Sequence, residues 1–150
     1  PEWLPAYCEN QAVNAILSYY AQIAENAGTT LEIQAQMEKE LPVPEPEFCV
    51  LLGNLLENAV DACRENNESG AIKVHIRQTG TSLIAITVDN PCRNPPVLEG
   101  KRFLSTKHSG PGIGTQSIRL IAERHHGDAR FEWKNGMFYA SVILIPSAES

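Results

Sequence analysis

Two asparagines four residues apart, Asn54 and Asn58, stand in a run of sequence that is otherwise rich in leucine. On an α-helix of about 3.6 residues per turn they share one stripe with Glu57 and Asp61, because the four positions follow the spacing i, i+3, i+4 and i+7. Amides inside a buried helix cost free energy unless they are paired. A stripe of amide and carboxylate oxygens facing a cavity could bind a hard divalent cation together with phosphates. The alternative is an amide pair that only hydrogen-bonds a neighbouring loop.

A second candidate is the glycine-rich segment Gly110-Pro111-Gly112-Ile113-Gly114, which directly precedes a predicted helix. Glycines let the backbone approach a ligand closely, and free N–H groups at the start of a helix attract anions. The segment is not a Walker A loop, which needs GxxxxGK[ST], and it does not follow a strand as a dinucleotide fingerprint would. It could therefore contact phosphate, or it could be a flexible hinge.

Two further polar positions lie between these motifs. Asp89 ends an apolar run and could accept a hydrogen bond from an exocyclic amine such as the adenine amino group; alternatively, it ends the strand in an Asx turn. Lys107 is a candidate phosphate partner, and Ser105 or Thr106 could add hydrogen bonds. Alternatively, Lys107, Ser105 and Thr106 form only a solvated loop tip.

Hydrophobic periodicity predicts the elements that position these residues. Apolar residues at three- and four-residue spacing predict helices over residues 9–27, 45–67 and 113–126. Alternation predicts strands over residues 29–37, 72–78, 83–88, 129–133 and 137–145, with two hairpins at Gly80-Thr81 and Asn135-Gly136. Residues 89–112 lack periodicity, which is typical of a lid or binding loop. The order predicts a two-layer α/β (α+β) sandwich, in which about three helices cover one face of a mixed, largely antiparallel sheet.

Composition limits the classes of protein that the chain can represent. The 150 residues fit a single domain, and a net charge of −6 without any basic run argues against a nucleic-acid binder. No apolar stretch approaches the roughly 20 residues of a membrane span, and no signal peptide is visible. The start without Met suggests a fragment of a longer protein. The four cysteines, which form no CxxC pair and show no zinc-finger spacing, are expected to be reduced thiols: Cys8, Cys49, Cys63 and Cys92.

Taken in order, these segments resemble the ATP-binding domain shared by gyrase, heat-shock chaperones, sensor histidine kinases and mismatch-repair ATPases, which is called the GHKL or Bergerat fold. Residues 54–59 look like the N box of that family, Asp89-Asn90 stands where its G1 box begins, and residues 110–114 are similar to its G2 box. The likeness spans about residues 9 to 146. Within the family the chain looks most like the Agr-type, peptide-sensing (quorum-sensing) histidine kinases, on the features Cys8-Glu9-Asn10, Asn14 and Phe103-Leu104-Ser105-Thr106-Lys107.

The resemblance implies that the cofactors are ATP and Mg²⁺. Asn58 would coordinate the Mg²⁺ that bridges the ATP phosphates, and Asn54 would support the same shell. A mobile lid of about residues 92 to 109 would cover the phosphates. The composition of this loop separately predicts poor order between about residues 92 and 112 without nucleotide. The other implied contacts are a carboxylate at the adenine amino group, three glycines around the phosphates and a lysine at the terminal phosphates: Asp89, Gly110, Gly112, Gly114 and Lys107.

The function implied by the resemblance is that of the cytoplasmic catalytic domain of a membrane-bound sensor histidine kinase. The domain would transfer the γ-phosphoryl group of ATP to a histidine on a dimerisation domain outside this chain. That histidine would then phosphorylate a response regulator, and the full-length protein would be a homodimer without a nucleic-acid partner. His75, His108, His125 and His126 follow no acceptor-box sequence and are expected to be solvated or structural residues, His108 having the best claim to a ligand contact.

Two departures from the family pattern define the alternatives. Asn54 stands where ATPases of the family carry a water-activating glutamate. Asn54 and Glu57 are the possible catalytic residues, but Glu57 cannot be assumed to replace that glutamate. This departure favours phosphoryl transfer to a partner over an ATP-driven GHKL conformational clamp. Pro91 and Arg93 occupy the glycine positions of the usual G1 box, DxGxG, which favours a degenerate GHKL docking module that binds nucleotide weakly.

Overall fold

The computed structural model describes residues 6–95, 98–99, 102–103 and 113–146. Within these ranges the elements are helices α1 (Gln11–Asn26), α2 (Glu45–Glu65) and α3 (Ile113–Arg124), and strands β1 (Thr30–Gln36), β2 (Ala71–Thr79), β3 (Leu83–Pro91), β4 (Leu98–Glu99), β5 (Arg102–Phe103), β6 (Asp128–Lys134) and β7 (Met137–Leu144). Both predicted hairpins are present, because β2 pairs with β3 and β6 pairs with β7 in antiparallel register.

The main sheet has five strands in the order β1-β2-β3-β7-β6. The β1–β2 pair is parallel, and the other three pairs are antiparallel. Among the described residues, the two-residue strands β4 and β5 pair with each other and not with the main sheet. The prediction of a mixed, largely antiparallel sheet with three helices in a two-layer α/β arrangement is therefore confirmed.

The hydrophobic core lies between one face of the sheet and the helices. Alternate residues of β2 and β3 are buried, and their neighbours in sequence point to the opposite, open face. Burying a large aliphatic side chain stabilises a fold by about 1.5–3 kcal/mol, so this layer holds helix and sheet together. The core side chains include Leu51, Leu52, Leu55 and Leu56 from α2, Ile72, Val74 and Ile76 from β2, and Ile84, Ile86 and Val88 from β3.

Local interactions fix where the helices begin and end. Asn10, which is almost fully buried, caps α1 by accepting a hydrogen bond from the Val13 N–H at 2.9 Å. Its side-chain amide also donates to the Lys39 carbonyl and to Glu45 Oε2 at 2.9 and 3.0 Å, which joins the starts of α1 and α2. Gly127 follows α3 and lies so close to the Ile143 carbonyl that a Cβ would not fit there.

The structure differs from the sequence prediction at the end of β3. The strand was expected to end at Val88, but it pairs with β7 through Pro91, which lies opposite Met137. Proline is tolerated here because the pairing with β2 has already ended at Asp89, so no ladder hydrogen bond from position 91 to β2 is required. This extension by three residues decides which side chains face the helices.

All four cysteines are free thiols. Burial raises the pKa of Cys63 to about 11, so its thiolate is scarce and the side chain packs as a small apolar group. Of the helices that the described ranges contain, none combines the length and the hydropathy required to cross a membrane.

Candidate functional site

The polar stripe of α2 reaches the protein surface. Asn54 and Asp61 are half-buried, whereas Glu57 and Asn58 are exposed. The other faces of the helix are buried against the sheet and its neighbours through Leu55, Leu56, Ala59 and Cys63. The core therefore holds the helix in place and leaves its stripe open to a ligand.

The two asparagines of the stripe have no hydrogen-bond partner among the residues that the structure describes. Asp61 differs from them, because its Oδ1 lies 3.3 Å from Nη1 of Arg64 one turn later. The alternative explanation for Asn54 and Asn58 was a structural amide pair bonded to a neighbouring loop. No described loop forms such bonds, so the arrangement favours the ligand-binding interpretation.

The end of β3 carries the next polar side chains of the site. Ile84, Ile86, Val88 and Asn90 alternate with half-buried residues and face the helices. Asp89 lies between Val88 and Asn90 and therefore points to the open face of the sheet. There it pairs with Lys73 of β2 and Tyr139 of β7. Partial burial raises the pKa of Asp89, and its electrostatic interactions with His75 and Lys73 oppose that rise. The strand does not end at Asp89, because β3 continues to Pro91 and keeps its alternation.

Asn90 is the functional candidate that the sequence reasoning missed. Its side chain is 2% exposed and faces the helices. Its Nδ2 donates to the Pro91 carbonyl at 2.9 Å, and Oδ1 accepts no hydrogen bond from any described residue. The alternation of Ile84, Ile86 and Val88 could have identified it, because the next residue on the same face of the strand is Asn90. It was overlooked because Asn-Pro is itself a turn signal.

Helix α3 contains Gly114, the last residue of the predicted glycine motif, and packs against α2. The two helices pack against each other, and the end of α3 is tied to the start of α2 by bonds from Arg124 Nη1 and His125 Nε2 to Glu47 Oε1, at 2.7 and 3.2 Å. The helices thus run in opposite directions. The other end of α3, with Gly114 as its second residue, lies towards the half of α2 that carries Asn58, since Asn58 and the start of α3 are each about 16 Å from this joint.

The remaining predicted contacts lie outside the described residues. They are Gly110, Gly112 and Lys107, together with His108 and the hydroxyl residues Ser105 and Thr106. Most of the predicted lid lies outside them as well. Their proposed roles stay predictions.

The donors on α2 fit a hard cation that arrives with phosphates. Magnesium prefers oxygen ligands and takes only one or two from the protein when phosphates and water supply the others. Asn58 offers an exposed amide oxygen, and Asn54 lies one turn before it. In the part of the chain that is described, no group of three or more His, Cys, Asp or Glu side chains could hold a metal by itself. The donor set therefore suits a shared site better than an all-protein cage.

Comparison with known proteins identifies related chains. A family model described as a GHKL domain matches residues 45–146. The probable C4-dicarboxylate sensor kinase of Bacillus subtilis (strain 168) is 26% identical over 153 residues, which cover 97% of this chain and 29% of that protein. The sensor histidine kinase ZraS of Salmonella typhi is 26% identical over 153 residues, which cover 95% of this chain and 32% of that protein. The chain spans about a third of the length of these relatives.

The fold is shared with a solved structure. The catalytic domain of histidine kinase ThkA, in a nucleotide-free form, matches with a TM-score of 0.69 at 19% sequence identity, and the match covers 91% of each chain. An identity this low shows the fold alone. The family is shown by the model that covers more than half of the chain, so the chain belongs to the GHKL domain family.

Proposed function

We propose that this GHKL domain is the ATP-binding catalytic domain of a sensor histidine kinase. The observation that carries the proposal is the position of Asn54 and Asn58 on α2. The other faces of this helix are buried, and the two amides lie at the surface without hydrogen-bond partners among the described residues. In a GHKL domain, amide oxygens so placed suit a nucleotide and its magnesium. The similarity to sensor kinases over nearly the whole chain supports the same assignment.

Each part of the site has a proposed role. Asn58 holds the Mg²⁺ with support from Asn54, and the bound ion would neutralise charge on the ATP phosphates. Gly114 at the start of α3 presents its backbone N–H group to the phosphates. Gly110, Gly112 and Lys107 complete this phosphate side as sequence-based proposals.

On the base side we assign the adenine contact to Asn90 in place of Asp89. The amide Oδ1 of Asn90 can accept a hydrogen bond from an exocyclic amine as a carboxylate would. It faces the helices and has no donor among the described residues. Asp89 points to the open face, where its neighbours are Lys73 and Tyr139.

The acceptor of the phosphoryl group belongs to a separate part of the protein. Asn54 lacks the carboxylate needed to activate water, so positioning and charge neutralisation for transfer to a partner suit this site better than rapid hydrolysis. The proposed partners are the dimerisation domain of the same kinase and a response regulator, in a membrane-bound homodimer with this domain in the cytoplasm. Membership of the Agr-type branch also stays a proposal, since neither relative described above is a peptide-sensing kinase by name.

Calorimetry on the folded domain tests the proposal directly. We expect MgATP to bind with micromolar to sub-millimolar affinity and Asn58→Ala to abolish that binding, because the substitution removes the metal-binding oxygen. Asn26→Ala is the matched control, since Asn26 is an exposed amide on α1 whose side chain, in the described structure, accepts a hydrogen bond from Gln22. A folded wild-type chain that binds no nucleotide would instead support the degenerate docking module, which the Pro91 and Arg93 substitutions favour.

A further inference from the structure

The segment that follows β3 is held in place from two sides. Residues 92–94 directly follow the end of β3 and read Cys92, Arg93 and Asn94. The β6–β7 hairpin bonds the backbone of Cys92, and the connection after α2 bonds Arg93 and Asn94. The segment is therefore anchored by specific side chains.

On the hairpin side, both backbone groups of Cys92 are engaged. Its N–H donates to the Gly136 carbonyl at 2.8 Å, and its carbonyl accepts from the indole Nε1 of Trp133 at 2.7 Å. Because a trans peptide places its C=O and N–H on opposite sides, the bond to Gly136 directs the Pro91 carbonyl away from the hairpin. That carbonyl lies 3.8 Å from Cys63 Sγ of α2 and accepts from Asn90 Nδ2.

On the helix side, two residues after α2 hold the segment. Asn94 Nδ2 donates to Asn66 Oδ1 at 3.1 Å, and the Arg93 N–H donates to Glu68 Oε2 at 2.7 Å. The Asn66 amide also donates to the Ala62 carbonyl at 2.8 Å, which fixes its own position at the end of α2. The segment therefore cannot turn away from the helix without losing these bonds.

We propose that Trp133 is a positioning residue for the nucleotide base. Trp133, Phe138 and Asn90 lie in one row across β6, β7 and β3 on the face towards the helices. Trp133 binds the Cys92 carbonyl, and Gly136 binds the Cys92 N–H. The two bonds together hold Cys92 and therefore the adjoining Pro91–Cys92 peptide, whose carbonyl accepts from the Nδ2 of Asn90. Since that amide has one orientation, its Oδ1 is presented to the ligand. This inference rests on the proposed function, because it concerns the same ATP site.

The test compares ATP with GTP. The exocyclic amine of adenine can donate to Asn90 Oδ1, whereas guanine has a carbonyl at that position. Trp133→Phe keeps an aromatic ring but removes the N–H donor. We expect MgATP binding about fivefold weaker, the size of one neutral hydrogen bond, and unchanged MgGTP binding. The preference for ATP over GTP therefore falls. Equal loss for both nucleotides, or no loss for ATP, would overturn the proposal.

A matched control separates positioning from simple packing. Phe131 lies two residues before Trp133 on the same face, and it stacks on Phe138 at 6.2 Å and contacts the Arg119 guanidinium. Phe131→Leu is expected to lower thermal stability as much as Trp133→Phe does, without changing the ATP-to-GTP ratio. A ratio that falls equally in both variants would show a general packing effect and contradict the assignment.

A double-mutant cycle tests the route through Asn90. If Trp133 acts by orienting that amide, Trp133→Phe should have little further effect in the Asn90→Ala background, so the two losses are not additive. Fully additive losses would exclude this route. If the wild-type chain binds no MgATP, the proposed function itself is wrong. If MgATP binding depends on Asn58 but Trp133→Phe leaves the preference for ATP unchanged, only the inference about Trp133 is wrong.

Discussion

Asp89 and Asn90 are neighbours in sequence but serve opposite faces of the sheet. The carboxylate lies beside Lys73 on the open face, and the amide points towards the helices. We expect Asn90→Ala to weaken MgATP binding at least about tenfold, because the buried base would lose the acceptor of its amine. Asp89→Asn should leave the affinity within about twofold, since its charge does not face the ligand. Titration calorimetry measures both, and loss on Asp89→Asn with retention on Asn90→Ala would return the adenine role to Asp89.

The contrast between these residues shows where sequence patterns stop. The helical spacing of α2 predicted the stripe of Asn54 and Asn58, because a period of 3.6 assigns every side chain to a face. In a strand, the assignment depends on knowing where the pairing ends. Asn90-Pro91 reads as a turn locally, and only the non-local partner strand β7 keeps the chain extended there. A pattern of neighbouring residues cannot show that β7 pairs with this end of β3.

At the scale of elements, the helices, the hairpins and the two-layer arrangement could be predicted, but the order of the strands in the sheet could not. The helix α2 was expected over residues 45–67 and extends over Glu45–Glu65. Strand order β1-β2-β3-β7-β6 depends on contacts between distant segments, such as the insertion of β7 between β3 and β6. Similarly, Trp133 gave no signal in sequence, since its role depends on a hydrogen bond to a residue 41 positions away.

The joint between α2 and α3 should make stability depend on pH. The hydrogen bond from Arg124 holds the pKa of Glu47 below its ordinary value, and a bond from His125 acts in the same direction. A carboxyl group with a lowered pKa in the folded state stabilises the fold above its unfolded pKa, and this contribution is lost as the pH falls through the folded pKa. We therefore expect the melting temperature of the wild type to fall more steeply below about pH 4.5 than that of Glu47→Gln.

The control for this prediction is Glu25→Gln, which changes an exposed carboxylate on α1. Its profile should follow the wild type. If Glu47→Gln and wild type lose stability in parallel between about pH 5 and pH 3, the ion pair does not contribute to the packing of α3 on α2.

At the scale of the whole molecule, the sheet separates two environments. The face towards the helices carries the core and, at one end, the proposed nucleotide site around Asn58 and Asn90. The open face carries exposed polar residues such as Lys73, His75 and Arg77 on β2. The sheet therefore lies between the groups on the open face and the proposed nucleotide site. This division applies directly to the histidines.

The described histidines lie away from the proposed nucleotide site. His75 is on the open face, and His125, with His126 beside it, bonds Glu47, about 16 Å along α2 from Asn58. We expect the domain alone to form no acid-labile phosphate with labelled ATP. Adding a histidine-bearing dimerisation fragment of the full-length protein should produce it, and Asn58→Ala should prevent it. Sustained phosphate release without that fragment, at a rate the fragment does not change, would instead indicate an ATP-driven clamp.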